Sequence, residues 1–129
     1  MNSNFNNFPK FGDVFFASLY KEDHVQGGIR PVVIAQNDAG NRHSPTIGII
    51  PMSSKTDKAK HLPVHVVVPA DEDNGLNMDS VVLTEQMRTI PATHLIGRIG
   101  SLKHKDLVNI RRALDIQFPL PGGITMPWR

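Results

Sequence analysis

Apolar residues in this chain fall into short runs, each closed by a polar or turn-forming cluster. Asp13 to Leu19 (DVFFASL) is a first run of bulky side chains, and YKEDHVQGG follows it as a polar loop ending in two glycines. Pro31 to Ala35 has strand composition and leads into QNDAGNRHSP, a stretch rich in turn formers. Thr46 to Pro51 and Val64 to Val68 continue the series, separated by the lysine-bearing segment MSSKTDKAKHLP. After the charged turn DEDNGLNMD, Ser80 to Thr84 and Glu85 to Ile90 supply further strand material, with IGRIG behind them. Only SLKHKDLVNIRRALDIQF has a helical period. Leu107, Ile110 and Leu114 recur at intervals of three and four with Val108 beside them, and Ser101 is the expected N-cap. Short strands between turn residues, followed by one helix, predict a compact curved antiparallel sheet or small barrel capped by that helix.

Composition narrows the class. A chain of 129 residues is one domain long, with eleven Asn-rich residues as a loose lead-in and PLPGGITMPWR as an irregular tail. No apolar run approaches the roughly 20 residues needed to span a bilayer, and the start lacks a secretory h-region, so the cytoplasm is the expected compartment. The chain has no cysteine, which excludes disulfides, thiolate nucleophiles and zinc–cysteine sites. The formal charge of +2, from 14 Lys and Arg against 12 Asp and Glu, permits a nucleic-acid partner only where the cations cluster.

Familiar catalytic signatures are missing. There is no G-x-G-x-x-G, Walker A, H-E-x-x-H or G-x-S-x-G pattern. His61 and His65 are four apart, but Leu62-Pro63 and the strand-like HVVV keep them off a shared helical face, so no metal site is expected. Glu22-Asp23 and Asp71-Glu72-Asp73 sit in hydrophilic loops and read as solvated. Asp79 precedes a strand, and Glu85 lies in strand composition near Gln86 and Arg88, where structural pairing is its expected role.

Arg30 stands apart. A guanidinium is always protonated and offers a planar fork of donors suited to phosphate oxygens. Gly27 and Gly28 open the backbone path before it, and Pro31 fixes φ after it. The plain alternative is an edge arginine paired with an acid. Ser53 and Ser54 close a strand beside Lys55, Lys58 and Lys60. An antiparallel sheet can bring Arg30 and Ser53 together as a cation and a hydroxyl at a basic groove.

The ordered blocks GDVFFASL, QGGIRPVVIAQNDAGNRHSPT, PMSS with KAKHLPVHV, GLNMDSVVLTEQMRTI, and LIGRIGSL before a helix ending ALDI carry a resemblance. The chain resembles the MazF/PemK family of toxin endoribonucleases from Gly12 to about Leu120. The resemblance implies a mainly β fold with α, a small SH3-like antiparallel β-barrel with a C-terminal helix, in one domain over residues 12–120. It implies a homodimer, no cofactor, and a cognate acidic antitoxin that covers the RNA groove. It implies metal-independent cleavage of single-stranded RNA at a short recognition sequence, the ribose 2′-OH attacking its own phosphate to leave 2′,3′-cyclic phosphate and 5′-OH ends.

In that family an arginine and a Thr or Ser occupy the reaction centre, and these positions fall on Arg30 and Ser53, with Ser54 one residue away. RNA contacts are expected from Gln26, Gly27, Gly28, Ser54, Lys55, Lys58, Lys60 and His61, within the loops 20–28 and 55–62 that would set sequence preference. One departure matters. Where some relatives carry a glutamate before the Gln, this chain has Val25, leaving Glu22, Asp23 and His24 as substitutes for a base that stays unassigned. Related gyrase-poisoning toxins supply the competing expectation, a non-catalytic barrel that binds protein or nucleic acid.

Overall fold

The computed structural model describes residues 8–20, 27–56 and 62–119. Its elements are β1 (Asp13–Leu19), β2 (Gly28–Ile34), α1 (Asp38–His43), β3 (Thr46–Ser53), β4 (His65–Val68), β5 (Ser80–Leu83), β6 (Arg88–Pro91), β7 (Leu95–Ser101) and α2 (His104–Gln117). All strand pairings are antiparallel, in the order β4-β5-β3-β2-β1-β7, with β6 paired to β3 off that path. The mainly β architecture with a C-terminal helix is the one expected. Among the described residues the ladder does not close, since its end strands β4 and β7 do not pair.

The apolar runs are continuous because the sheet is buried on both faces. Val14, Val33, Ile50, Met52, Val66, Val68 and Val82 form one cluster with Ile110 and Ala113 of α2. Their chain neighbours Phe15, Val32 and Ile49 form a second cluster with Ala17, Leu19, Ile34, Ile47 and Ile90. Successive side chains on a strand point to opposite faces, so β1, β2 and β3 each feed both cores at once.

Local chemistry shifted three boundaries. QNDAGNRHSP is not only turn: Asn37 caps α1 by accepting the Gly40 N–H at 2.8 Å. Ser101 does not cap α2, because it is the last residue of β7 and pairs with Asp13, so the cap position passes to Lys103. Thr84–Gln86 is a short 3₁₀ turn between β5 and β6 rather than strand, and there Glu85 Oε2 meets His65 Nε2 at 2.9 Å, the structural pairing anticipated for it. Residues 8–11 contact α1: Arg42 lies 5.6 Å over the Phe8 ring, and the Phe11 N–H donates to Asp38 Oδ1 at 2.8 Å. The tail 121–129 lies outside the described residues, and no described helix is long and apolar enough to cross a membrane.

The segment from β4 to β5 is held by its own polar groups. Asp71 Oδ1 accepts the N–H groups of Asp73 and Asn74, both at 2.8 Å. The Asn74 N–H is the leading cause that holds the Asp71 carboxyl below the usual carboxylate range. Buried Asn74 donates to Pro69 O at 2.9 Å and accepts from Leu76 N–H at 3.0 Å. Gly75 has φ +69°, and a Cβ there would lie 2.0 Å from the Ile99 carbonyl oxygen. The segment is pressed onto β7 where only glycine fits.

Two stability predictions follow from this packing. Gly75→Ala lowers unfolding free energy by more than about 2 kcal/mol, read as a lower urea midpoint at unchanged slope, because it adds both a clash and a left-handed Cβ. Asp106, buried in the first turn of α2, has its carboxyl pushed up chiefly by desolvation, with Asp71 adding and Lys105 and Lys103 opposing. A raised folded-state pKa means that the ionised form costs stability at neutral pH, and that the cost disappears once pH falls below about 4, where the unfolded chain is protonated too. Asp106→Asn is therefore more stable than the parent at pH 7, and urea titrations of the two converge toward pH 3.

Candidate functional site

Strand β3 builds the site by changing partners along its length. One edge pairs with β6 from Thr46 to Ile49 and then with β5 at Met52 and Ser53. The other edge pairs with β2, Ile49 to Ile34, Ile50 to Val33 and Pro51 to Val32, and there that ladder ends. The next residue of β2 is Pro31, which has no N–H to give to a ladder. Beyond it β2 continues to pair with β1, Pro31 with Phe16 through to Gly28 with Leu19. The strands β2 and β3 part at this point. A cleft of about 260 Å³ opens there, lined by Phe16, Ile29, Arg30, Pro31, Met52, Ser53 and Ser54, with Gly75–Met78, Ser80 and Ile99 completing the wall.

Carried two steps past its last pair, the β2–β3 register would set Arg30 opposite Ser53, and both residues line the cleft. Arg30 Nε donates to Gly27 O at 2.8 Å and Nη1 to Met52 O at 3.3 Å, so the guanidinium bridges the gap between the separating strands. Two carbonyl contacts orient it without neutralising it, and among the described residues it has no carboxylate partner. The edge-pairing alternative is therefore not what the described residues show. Partial burial lowers its pKa by desolvation, and a guanidinium so lowered is still protonated at neutral pH. A cation that is half-buried, oriented and without a counter-ion among the described residues is primed for an anion.

Ser53 is 9% exposed, and its Oγ accepts the Lys55 N–H at 3.2 Å. That bond occupies a lone pair and leaves the hydroxyl proton to be donated elsewhere. Ser54 lines the same cleft and is exposed, as is Lys55. Gly28 has φ +78°, with nothing within 4 Å of a Cβ, so its requirement for glycine is conformational rather than steric. It turns the chain so that Gly27 O meets the Arg30 side chain. Gln26, Lys58, Lys60 and His61 lie outside the described residues, as do Glu22, Asp23, His24 and Val25.

The cleft brings together Arg30, Ser53 and Ser54 of the residues singled out from sequence, and it adds a wall that sequence reading missed. Gly75–Met78 reads as part of a charged turn, and nothing local says what that turn faces. Asp79, also weighed as an acid, accepts the Ala70 N–H at 2.9 Å, and Glu85 is committed to His65. No carboxylate or histidine lines the cleft among the described residues, and none of them gather into a group of three or more His, Asp or Glu that could hold a metal ion.

Comparison with known proteins agrees with this architecture. Residues 10–118 match the family described as the PemK-like, MazF-like toxins of type II toxin-antitoxin systems. The chain is 42% identical over 112 residues to Endoribonuclease EndoA of Bacillus subtilis, covering 86% of this chain and 95% of that protein. Among solved structures, the Mycobacterium tuberculosis toxin MazF-mt6 superposes with a TM-score of 0.70 at 27% identity, over 84% of this chain and 97% of that one. An endoribonuclease solved with its cognate antitoxin, from a mycobacterial species, shares the fold with a TM-score of 0.70 at 21% identity, over 88% and 97% of the two chains. The match to the family over nearly the whole described chain, on a fold those structures share, places this protein among the PemK-like, MazF-like toxins of type II toxin-antitoxin systems.

Proposed function

We propose that this toxin is a sequence-specific, metal-independent endoribonuclease that cleaves single-stranded RNA, mRNA in particular, and that Arg30 and Ser53 form its reaction centre. The observation that carries the reading is an oriented guanidinium, without an acid partner among the described residues, lining one cleft with a hydroxyl. The substrate brings its own nucleophile. The ribose 2′-oxygen bonds to phosphorus as the bond from phosphorus to the 5′-oxygen breaks, leaving a 2′,3′-cyclic phosphate and a 5′-OH. One proton leaves the 2′-OH and one reaches the departing 5′-oxygen.

The protein's share is placement and charge. Arg30 stabilises the extra negative charge that builds on the phosphoryl oxygens in the transition state, and Ser53 donates its hydroxyl proton to one of them. Ser53 is preferred over Ser54 because it closes β3 in the wall of the cleft that Arg30 also lines, and because its oxygen accepts the Lys55 N–H. The proton acceptor is drawn from Glu22, Asp23, His24 or water. A requirement for the 2′-OH makes RNA the substrate and DNA inert.

Lys55, Lys58, Lys60 and His61 would then meet the RNA backbone, with Gln26, Gly27, Gly28 and Ser54 along the strand's path. The catalytic domain spans residues 12–120, with the lead-in 1–11 and the tail 121–129 outside it. The protein works as a homodimer in the cytoplasm, where its substrate is, and a cognate antitoxin silences it by laying an acidic segment over the cationic cleft.

The test is cleavage of a long single-stranded RNA in EDTA, with the ends mapped chemically. The parent yields 5′-OH ends. Arg30→Ala lowers the rate by about 10²–10³-fold or more, as for loss of a main charge-stabilising donor, and Ser53→Ala lowers it by about 10–100-fold. Ser54→Ala has a small effect. Full activity in Arg30→Ala removes that residue from the reaction centre. A parent that binds RNA or a protein tightly but cuts nothing is a binding module instead.

A further inference from the structure

We infer that Asn77, supported by Met78, is a specificity-determining residue that reads one base of the RNA beside the scissile phosphate. The inference rests on the endoribonuclease reading and adds to it a wall of the cleft not otherwise assigned.

The segment between β4 and β5 turns several of its polar groups on itself. Asp71 and Asn74 bind backbone within it, Asp79 accepts the Ala70 N–H at 2.9 Å, and Ser80 Oγ donates to Met78 O at 2.9 Å. Gly75 is seated against Ile99 O. Against that background two side chains stand out. The Asn77 amide makes no hydrogen bond among the described residues, although it lines the cleft with Arg30 and Ser53. Met78, also at the cleft, is 60% exposed. A rigid segment therefore presents an amide with unmet donors and acceptor beside a polarisable apolar side chain. Little ordering entropy is lost when such a preformed group binds.

The distribution of charge says which part of the RNA meets this wall. Arg30 puts a cation on the β2–β3 side of the cleft, and Lys55 follows Ser54 there in sequence, whereas Gly75–Met78 carries none. Phosphate belongs to the first wall and a base to the second. A carboxamide sets a donor beside an acceptor, matching the edge of a splayed base, and a methionine thioether packs against an aromatic ring. A single-stranded substrate supplies that unstacked base.

The test uses a pool of single-stranded RNAs randomised around one cleavage site, cut by the parent, Asn77→Ala and Asn77→Asp, with cleaved and uncleaved fractions sequenced. In Asn77→Ala the preference at a single position, as the ratio of kcat/KM for the best over the worst base, falls by roughly tenfold while other positions keep theirs. Asn77→Asp, which keeps an acceptor and loses the donors, changes which base is preferred at that same position. Because the side chain is exposed, both variants keep the parent's Tm. Preferences unaltered at every position, or a uniform loss across all sequences, overturn the assignment. A parent that cuts no member of the pool overturns the endoribonuclease reading itself, an outcome visible in the control before any variant is compared.

Discussion

Everything in this fold turns on how β3 is shared. Its eight residues pair with β2, β5 and β6, and those from Ile49 to Ser53 are buried. An antiparallel strand has two hydrogen-bonding edges, and here one edge serves two strands in succession while the other serves a third only in part. The partial ladder is the decisive feature. Where it stops, at Val32 and Pro51, the sheet divides into the part built on β1, β2 and β7 and the part built on β4 and β5. A cleft at a fork between strands is supported by two cores, so its walls are stiff even though it is open to solvent.

Arg30 gains its character from that fork. A guanidinium inside a continuous ladder would lie over the sheet surface among neighbouring side chains. At the fork it reaches across the opening to Met52 O, while Gly28 turns the chain so that Gly27 O meets Nε. Both contacts are to neutral carbonyls. Orientation is supplied without cancelling the charge, whereas an acid at the same distance would have spent the cation on a structural pair. Three acids among the described residues are engaged elsewhere: Asp13 with Arg98, Asp71 with Lys103 and Glu85 with His65.

The wall at Gly75–Met78 depends on a different device. Asn74 is buried and satisfied through its side chain, and Gly75 accepts the close approach of Ile99 O, so the segment is as fixed as a strand without being one. Rigidity of that kind suits recognition, since the geometry of an exposed amide is then set by the protein rather than by the ligand.

Much of this was legible in one dimension. The runs DVFFASL, TIGII and SVVL announce strands by composition, and the three-and-four spacing of Leu107, Ile110 and Leu114 announces α2, because these patterns record burial directly. Boundaries were less legible where a residue had two uses. Ser101 has the chemistry of a cap but was taken by the β1–β7 ladder, and Asn37 made a helix start out of apparent turn. Arg30 and Ser53 could be singled out because Gly, Pro and strand ends carry conformational meaning in sequence. Residue type, spacing and backbone permission were thus determined by the chain alone. That β2 leaves β3 after Val32, that Arg30 lacks an acid among the described residues, and that Asn77 lines the same cleft were decided only by tertiary structure. They depend on which strands meet and where ladders end, and long-range pairing of that kind leaves no local mark on the residues it brings together.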